Sequence, residues 1–193
     1  MLQSILEQLT RRRALLIAPA AFAGLMAIAS RKGDRSKDVA SDPEVTIIEF
    51  NDTGLRIGLA RVKRVVHSDG EWRKLLSADQ FYVTRKQSTD MAFSGTYYRL
   101  HEPGIFRCIC CGTALFASDA KFDSGTGWPS FWAPIAEENV RKHADRSLFM
   151  ERVEVVCTRC GAHLGHVFDD GPEPTHLRYC INESSLRFVA RVR

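Results

Sequence analysis

A mainly β fold, with antiparallel sheets over one core and a few short helices, is the class that this 193-residue chain predicts. Three observations carry that expectation. Beyond Gln87, glycines and prolines divide the sequence into short apolar runs, and no long helical period survives between them. A content of 45% hydrophobic and 26% charged residues is ordinary globular material, enough for one core at this length but hardly for two. Two tight turns of the same form, Cys108-Ile109-Cys110-Cys111-Gly112 and Cys157-Thr158-Arg159-Cys160-Gly161, offer a cross-link through a metal rather than through helix packing.

Residues 1–29 differ from all that follows. Arg11-Arg12-Arg13 leads into an apolar run from Leu15 to Ala29 that closes on Ala27-Ile28-Ala29. A basic start, a short apolar stretch and a small-x-small ending are the parts of an export signal. The paired arginines resemble a twin-arginine signal, which implies a bacterial periplasmic or cell-envelope location. The run falls short of the roughly 20 apolar residues of a bilayer span and contains Pro19 and Gly24, which favours a cleaved signal over the alternative, a membrane anchor. Residues 30–43 are charged, end in Pro43 and read as a linker, leaving residues 44–193 as the folded domain. The formal charge of +4 includes +2 from residues 1–29, so the remainder gives no case for nucleic acid.

Within the domain, Val45–Phe50 and Leu55–Val62 flank Asn51-Asp52-Thr53-Gly54 and predict a β-hairpin. From Asp69 to Arg85 the pattern turns helical, with Trp72, Leu75 and Leu76 at helical spacing and Ser77 as the N-cap of a second short helix reaching Thr84. Strands are expected at Ile105–Cys108, Ala114–Phe116, Met150–Val156, Leu164–Phe168, Leu177–Ile181 and Leu186–Val189, with one helix around Glu137–Lys142.

Cys108, Cys111, Cys157 and Cys160 fit a tetrahedral zinc site. Each Cys-x-x-Cys turn aims two thiolates at one centre and its glycine relieves the backbone, and the two turns stand 45 residues apart. Six cysteines in an exported chain could instead make three disulfides. Export in the folded state would let the metal load first, which favours zinc. Cys110 is left over, and Cys180 stands outside both clusters as a reacting thiol would. His163 and His166 follow the second turn; in an extended strand they would face opposite ways, so they reach one pocket only if Gly165 bends the backbone. Asp170 reads most simply as a local turn cap, with a charge partner for Arg178 or for a histidine as the alternative. The stretch Phe122–Trp132 reads as a surface loop that presents an aromatic for recognition, with Trp132 the residue expected to cover the core.

The segments Glu71–Leu76, Phe93-Ser94-Gly95, His101–Ile105, Cys108-x-x-Cys111-Gly112, Phe122–Gly125, Gly127–Phe131, His163–Phe168, Asp170-Gly171-Pro172 and Arg178–Asn182 together resemble the peptide methionine (R)-S-oxide reductase family, type B. The resemblance implies two antiparallel sheets in a barrel-like arrangement, a structural zinc on the four cysteines, and reduction of the R epimer of methionine sulfoxide within polypeptide. Residue by residue it implies Cys180 as nucleophile, His163, His166 and Asn182 as groups that place and protonate the sulfoxide oxygen, Arg178 as a charge favouring the thiolate, and Trp128 as the indole that receives the substrate methyl. Thr126 stands where members with an internal disulfide often carry a resolving cysteine. The expected reductant is therefore an external thiol or thioredoxin-like partner, with Cys110 as the less favoured resolver. His176 replaces a glycine common before the Leu-Arg-Tyr-Cys run. A monomer is expected. The competing readings are a non-catalytic zinc-ribbon binding module and a thiol hydrolase built on Cys180, His163 or His166, and Asn182.

Overall fold

In the structure, a computed structural model, residues 42–145 and 152–191 are described. The expected export signal or anchor and nearly all of the expected linker lie outside the described residues. The domain opens with the hairpin the sequence predicts: β1, Glu44–Phe50, pairs antiparallel with β2, Arg56–Lys63. Asn51 builds the turn, its side-chain oxygen accepting the N–H groups of Thr53 at 3.1 Å and Leu55 at 2.9 Å. Buried Asn139 fastens this hairpin to the rest of the domain. Its Oδ1 accepts the Ile48 N–H at 2.8 Å, and its Nδ2 donates to the carbonyls of Ile48 and Ala114 at 2.9 and 2.8 Å.

Two helices follow, α1 over Asp69–Leu75 and α2 over Ala78–Lys86, each opened by a capping box: Ser68 with Glu71, and Ser77 with Gln80. Trp72 is buried as expected, but Leu75 is exposed because α1 ends there. Nine more strands follow among the described residues: β3 Gly104–Cys108, β4 Ala114–Ala117, β5 Lys121–Phe122, β6 Ser130–Phe131, β7 Val140–Asp145, β8 Arg152–Cys157, β9 His163–Phe168, β10 Arg178–Ile181 and β11 Leu186–Ala190. All six strands expected in this half are present. The helix expected around Glu137–Lys142 is not: one 3₁₀ turn at Glu137–Asn139 runs into β7, which pairs along its whole length with β8.

The strands form three antiparallel sheets: the hairpin, a six-stranded sheet in the order β5-β6-β10-β9-β8-β7, and a three-stranded sheet in the order β11-β3-β4. Two sheets were expected from the resemblance; the hairpin is the additional one. The strand order of the six-stranded sheet is open, with β5 and β7 at its edges. Aromatic side chains join the two larger sheets: Phe116 stacks on Phe131 with ring centroids 4.5 Å apart, Phe106 meets Phe131 edge-on at 5.0 Å, and Tyr179 lies 5.8 Å from Phe116. All four are fully buried. Burying each such ring stabilises the fold by about 1.5–3 kcal/mol, against about 1 kcal/mol for a helix cap. The sheet contact rather than the helices therefore sets where the site residues stand.

Candidate active site and metal centre

The two Cys-x-x-Cys turns have the same hydrogen bonding. Gly112 N–H donates to the Cys108 carbonyl at 2.8 Å and Gly161 N–H to that of Cys157 at 2.9 Å; both glycines hold positive φ, +74° and +67°. The turns face each other, so that the Sγ atoms of Cys108, Cys111, Cys157 and Cys160 all lie within 4.8 Å of one another. Across the cluster, Cys108 and Cys160 stand 3.6 Å apart, and Cys111 and Cys157 3.5 Å. A tetrahedral zinc with bonds of about 2.3 Å needs sulfurs about 3.8 Å apart, whereas a disulfide needs about 2.05 Å. The spacing fits a four-thiolate metal site and does not fit bridges. The leftover Cys110 stands beside this cluster, its thiol against Cys108, Cys160 and Thr84.

β9 leaves the second turn directly, which carries His163 and His166 into the six-stranded sheet. Gly165 sits between them at φ +156°, and a Cβ there would lie 2.1 Å from the Cys180 carbonyl oxygen. Only glycine lets β9 bend and approach β10 so closely. The bend brings the two imidazoles together, 5.5 Å between ring centroids, as the sequence required. Their surroundings differ. His163 is buried, with Nδ1 2.6 Å from the Oε1 of buried Glu154. His166 is half-buried, with Nε2 2.9 Å from Asp145 Oδ2, which also accepts from Arg152 at 3.0 Å. Burial holds the His166 imidazole below its ordinary value of 6.5, and the Asp145 bond only partly offsets it.

One rung of the six-stranded sheet organises the centre. Ser130 on β6 faces Cys180 on β10, Cys180 faces His166 on β9, and His166 faces Glu154 on β8. Directly opposed residues in antiparallel strands project to the same side. The thiol is therefore flanked by a hydroxyl and an imidazole, with a carboxylate beyond. Burial pushes the Cys180 thiol above its ordinary 9.0, while hydrogen bonds from Thr126 and Ser130 and the Arg178 charge pull the other way and do not win. Thr126 Oγ1 is 3.9 Å from Cys180 Sγ and belongs to a chain of hydroxyls, 2.8 Å from Ser124 Oγ, which is 2.7 Å from Ser130 Oγ. Arg178 is also engaged elsewhere. Its Nε and Nη2 each donate to the Asp170 carboxylate at 2.8 Å, and its guanidinium covers the Phe168 ring at 4.4 Å. Asp170 is thus the charge partner, not the turn cap, and the bidentate pair holds its carboxyl below the usual range.

Trp128 and Asn182 meet through the backbone of Asp90. The indole N–H donates to the Asp90 carbonyl at 3.0 Å, and Asn182 Oδ1 accepts the Asp90 N–H at 2.9 Å; Asn182 Nδ2 donates to the Leu164 carbonyl at 3.1 Å. Asn182 is buried and fastens β9, β10 and the Asp90 loop together. Trp128 and Trp132 are both half-buried. His176 is exposed at φ +58°, the left-handed conformation a glycine adopts without strain, in the loop that returns to β10. Sequence reasoning missed Glu154, Asp145, Asp90 and the Ser124–Ser130 hydroxyls. Strand register places Glu154 and Asp145 here and loop hydrogen bonds place Asp90, while Ser124 and Ser130 lie within the Phe122–Gly125 and Gly127–Phe131 segments without a role having been read for them.

Comparison with known proteins gives the same outline. The SelR domain matches residues 76–190. A protein named peptide methionine sulfoxide reductase MsrB from Herminiimonas arsenicoxydans is 55% identical over 128 residues, covering 66% of this chain and 93% of that protein. A Pseudomonas aeruginosa protein of the same name is 58% identical over 120 residues, 62% of this chain and 91% of its own length. The chloroplastic peptide methionine sulfoxide reductase B1 of Oryza sativa is 57% identical over 121 residues, 62% of this chain and 56% of its own. A match over most of the domain, on a mainly β fold with a four-cysteine cluster and a separate thiol facing a histidine, places this chain in the SelR-domain family of peptide methionine sulfoxide reductases B.

Proposed function

We propose that the chain reduces peptide-bound methionine (R)-sulfoxide to methionine, with Cys180 as nucleophile. The observation that carries this is the pairing of Cys180 with His166 across β9 and β10, a lone thiol beside an imidazole, in a chain of this family. The Cys180 sulfur attacks the sulfoxide sulfur, the oxygen ends on Cys180 as a sulfenic acid, and methionine leaves with its lone pair restored. The sum is one thiol plus one sulfoxide giving one sulfenic acid plus one thioether, so no external proton is consumed. The proton that reaches the oxygen is the one that began on Cys180. A thiol held high and a His166 held low are suited to that: the thiol keeps its proton at rest, and neutral His166 relays it to the oxygen. Glu154 orients His163, and the indole of Trp128, fixed by Asp90, receives the substrate methyl.

Two equivalents of external thiol then return the sulfenic acid to thiol, releasing water and a disulfide of the reductant. A threonine at position 126 cannot form a bridge, and Cys110 lies among the metal-site cysteines while Cys180 lies among Thr126, Ser130 and Arg178. That supports an external thiol or thioredoxin-like protein as reductant. Cys108, Cys111, Cys157 and Cys160 would hold a Zn²⁺ that cross-links the turns ahead of β4 and β9 and takes no part in the reaction. The twin-arginine-like segment supports export to the periplasm or cell envelope. The test is turnover of a peptide with separated sulfoxide epimers in dithiothreitol. Loss of the R epimer alone, abolished by Cys180→Ser, supports the reading; turnover that persists in the variant, as a binding module with contaminating activity would show, sinks it.

A further inference from the structure

The loop between α2 and the next 3₁₀ turn forms one wall of the site and is fastened at four points. Besides the two Asp90 bonds to Asn182 and Trp128, Asp90 Oδ2 accepts the Ser184 N–H at 2.9 Å and the Phe93 N–H donates to the Gly127 carbonyl at 3.0 Å. A tight turn stands on these fastenings, with Ser94 N–H and Oγ donating to the Met91 carbonyl at 3.3 and 2.7 Å. Its third residue, Phe93, sits at φ +63°. A bulky side chain in the left-handed region is a true outlier and is strained there. Burial does not offset that strain, because Phe93 is 57% exposed; its neighbour Met91 is 80% exposed.

The ring of Phe93 nonetheless has a fixed place. It lies on Gly127, the residue before Trp128, so closely that a Cβ there would be 2.8 Å from the Phe93 Cγ and Cδ2, and its edge meets Tyr98 at 5.6 Å between centroids. The loop thus holds two large apolar side chains in solvent, at some cost, on the backbone that clamps the Trp128 indole.

We propose that Met91 and Phe93 form an apolar subsite for a hydrophobic side chain next to the methionine sulfoxide of a polypeptide substrate. The proposal rests on the reductase reading, and its occupant is an extended segment whose methionine lies among apolar residues. Such a segment brings its neighbouring side chain out over the Gly127–Phe93 contact when the sulfoxide methyl reaches Trp128. A free amino acid, or a segment with only glycine beside the methionine, leaves the subsite empty. Selection for apolar flanks would direct the enzyme to stretches that are buried in native proteins and exposed once they unfold.

The experiment compares three (R)-sulfoxide substrates with the full chain: N-acetylmethionine sulfoxide and two acetylated pentapeptides that differ only in glycine or leucine beside the sulfoxide. The leucine peptide is expected to have a kcat/KM about tenfold above the glycine peptide, equivalent to about 1.4 kcal/mol, because its side chain is covered where glycine leaves the subsite empty. Met91→Ser is expected to remove most of that ratio, bringing it to about twofold, while N-acetylmethionine sulfoxide turns over at the wild-type rate. Equal losses on all three substrates, or a wild type indifferent to the flanking residue, overturn the proposal. So does a dimer in sedimentation that dissociates on Met91→Ser, which would assign the patch to a second copy of the chain. No turnover of any substrate by the wild type would remove the reductase reading instead, which separates the two failures.

Discussion

The domain holds sulfur in two environments with opposite consequences, one where turns from the two larger sheets meet and one within the six-stranded sheet. At the metal centre four thiols crowd within 4.8 Å, a geometry that makes sense around a cation and is poor without one. At Cys180 one thiol stands among the hydroxyls of Thr126 and Ser130 and a guanidinium already bound to Asp170, and burial keeps its proton on. Sulfur chemistry is thus decided by neighbours: thiolates that complete a cation's shell become structure, and a lone thiol beside an imidazole stays reactive.

The largest expected effects break that comparison in two. Cys157→Ser removes a metal ligand; structural zinc sites contribute on the order of 10 kcal/mol, as much as a whole domain's stability of about 5–15 kcal/mol. The variant is expected to lose stoichiometric zinc and cooperative thermal unfolding together. Cys180→Ser is expected to keep both and to lose at least about 10³-fold in kcat. Metal analysis beside a circular-dichroism melt reads the contrast, and a Cys157→Ser protein with full zinc and an unchanged Tm would refute the structural role.

Next in size is the pair of histidines. Glu154→Gln leaves the volume of a buried side chain unchanged but replaces the carboxyl group that meets His163 Nδ1 and fixes its tautomer with an amide. Displacing a catalytic group slightly costs about 10²-fold, so kcat is expected to fall about 10–100-fold with KM nearly constant. A change carried by KM alone would mean that Glu154 supports substrate binding rather than the orientation of His163.

The metal centre was legible in the sequence because everything it needs lies within five residues of each turn: two cysteines and the glycine that permits positive φ. Cys180 and the two histidines were legible as residues, and even the bend at Gly165 could be demanded in advance. What could not be read was register. The rung Ser130–Cys180–His166–Glu154 joins four strands, and a slip of one residue would turn every member to the other side. Glu154, inside Glu-Arg-Val-Glu-Val-Val, looks like any solvent-facing strand residue until β8 is paired. The helix expected at Glu137–Lys142 failed for a related reason: its charged residues favour a helix locally, but β8 offers an edge, and pairing from Val140 to Asp145 outweighs local preference.

The smallest effect tests the thiol side of the comparison most directly. Since burial lowers the His166 imidazole and raises the Cys180 thiol, the singly protonated pair, whichever partner carries the proton, persists between the two titrations. kcat/KM is therefore expected to be flat through neutrality, to fall on the acid side below pH 6.5 as His166 takes a second proton, and to fall on the alkaline side above pH 9.0 as the last proton leaves Cys180. Thr126→Val removes one hydroxyl that pulls the thiol down, so the alkaline limb moves further up and the acid limb stays. At pH 7 the variant holds less thiolate, and alkylation by iodoacetamide, which needs thiolate, should slow by about 2–10-fold, the worth of one hydrogen bond of about 0.5–1.5 kcal/mol. Alkylation that instead speeds up would show that the Thr126 hydroxyl serves the neutral thiol as an acceptor, and that Cys180 is held as a thiol by its hydroxyl neighbours as well as by burial.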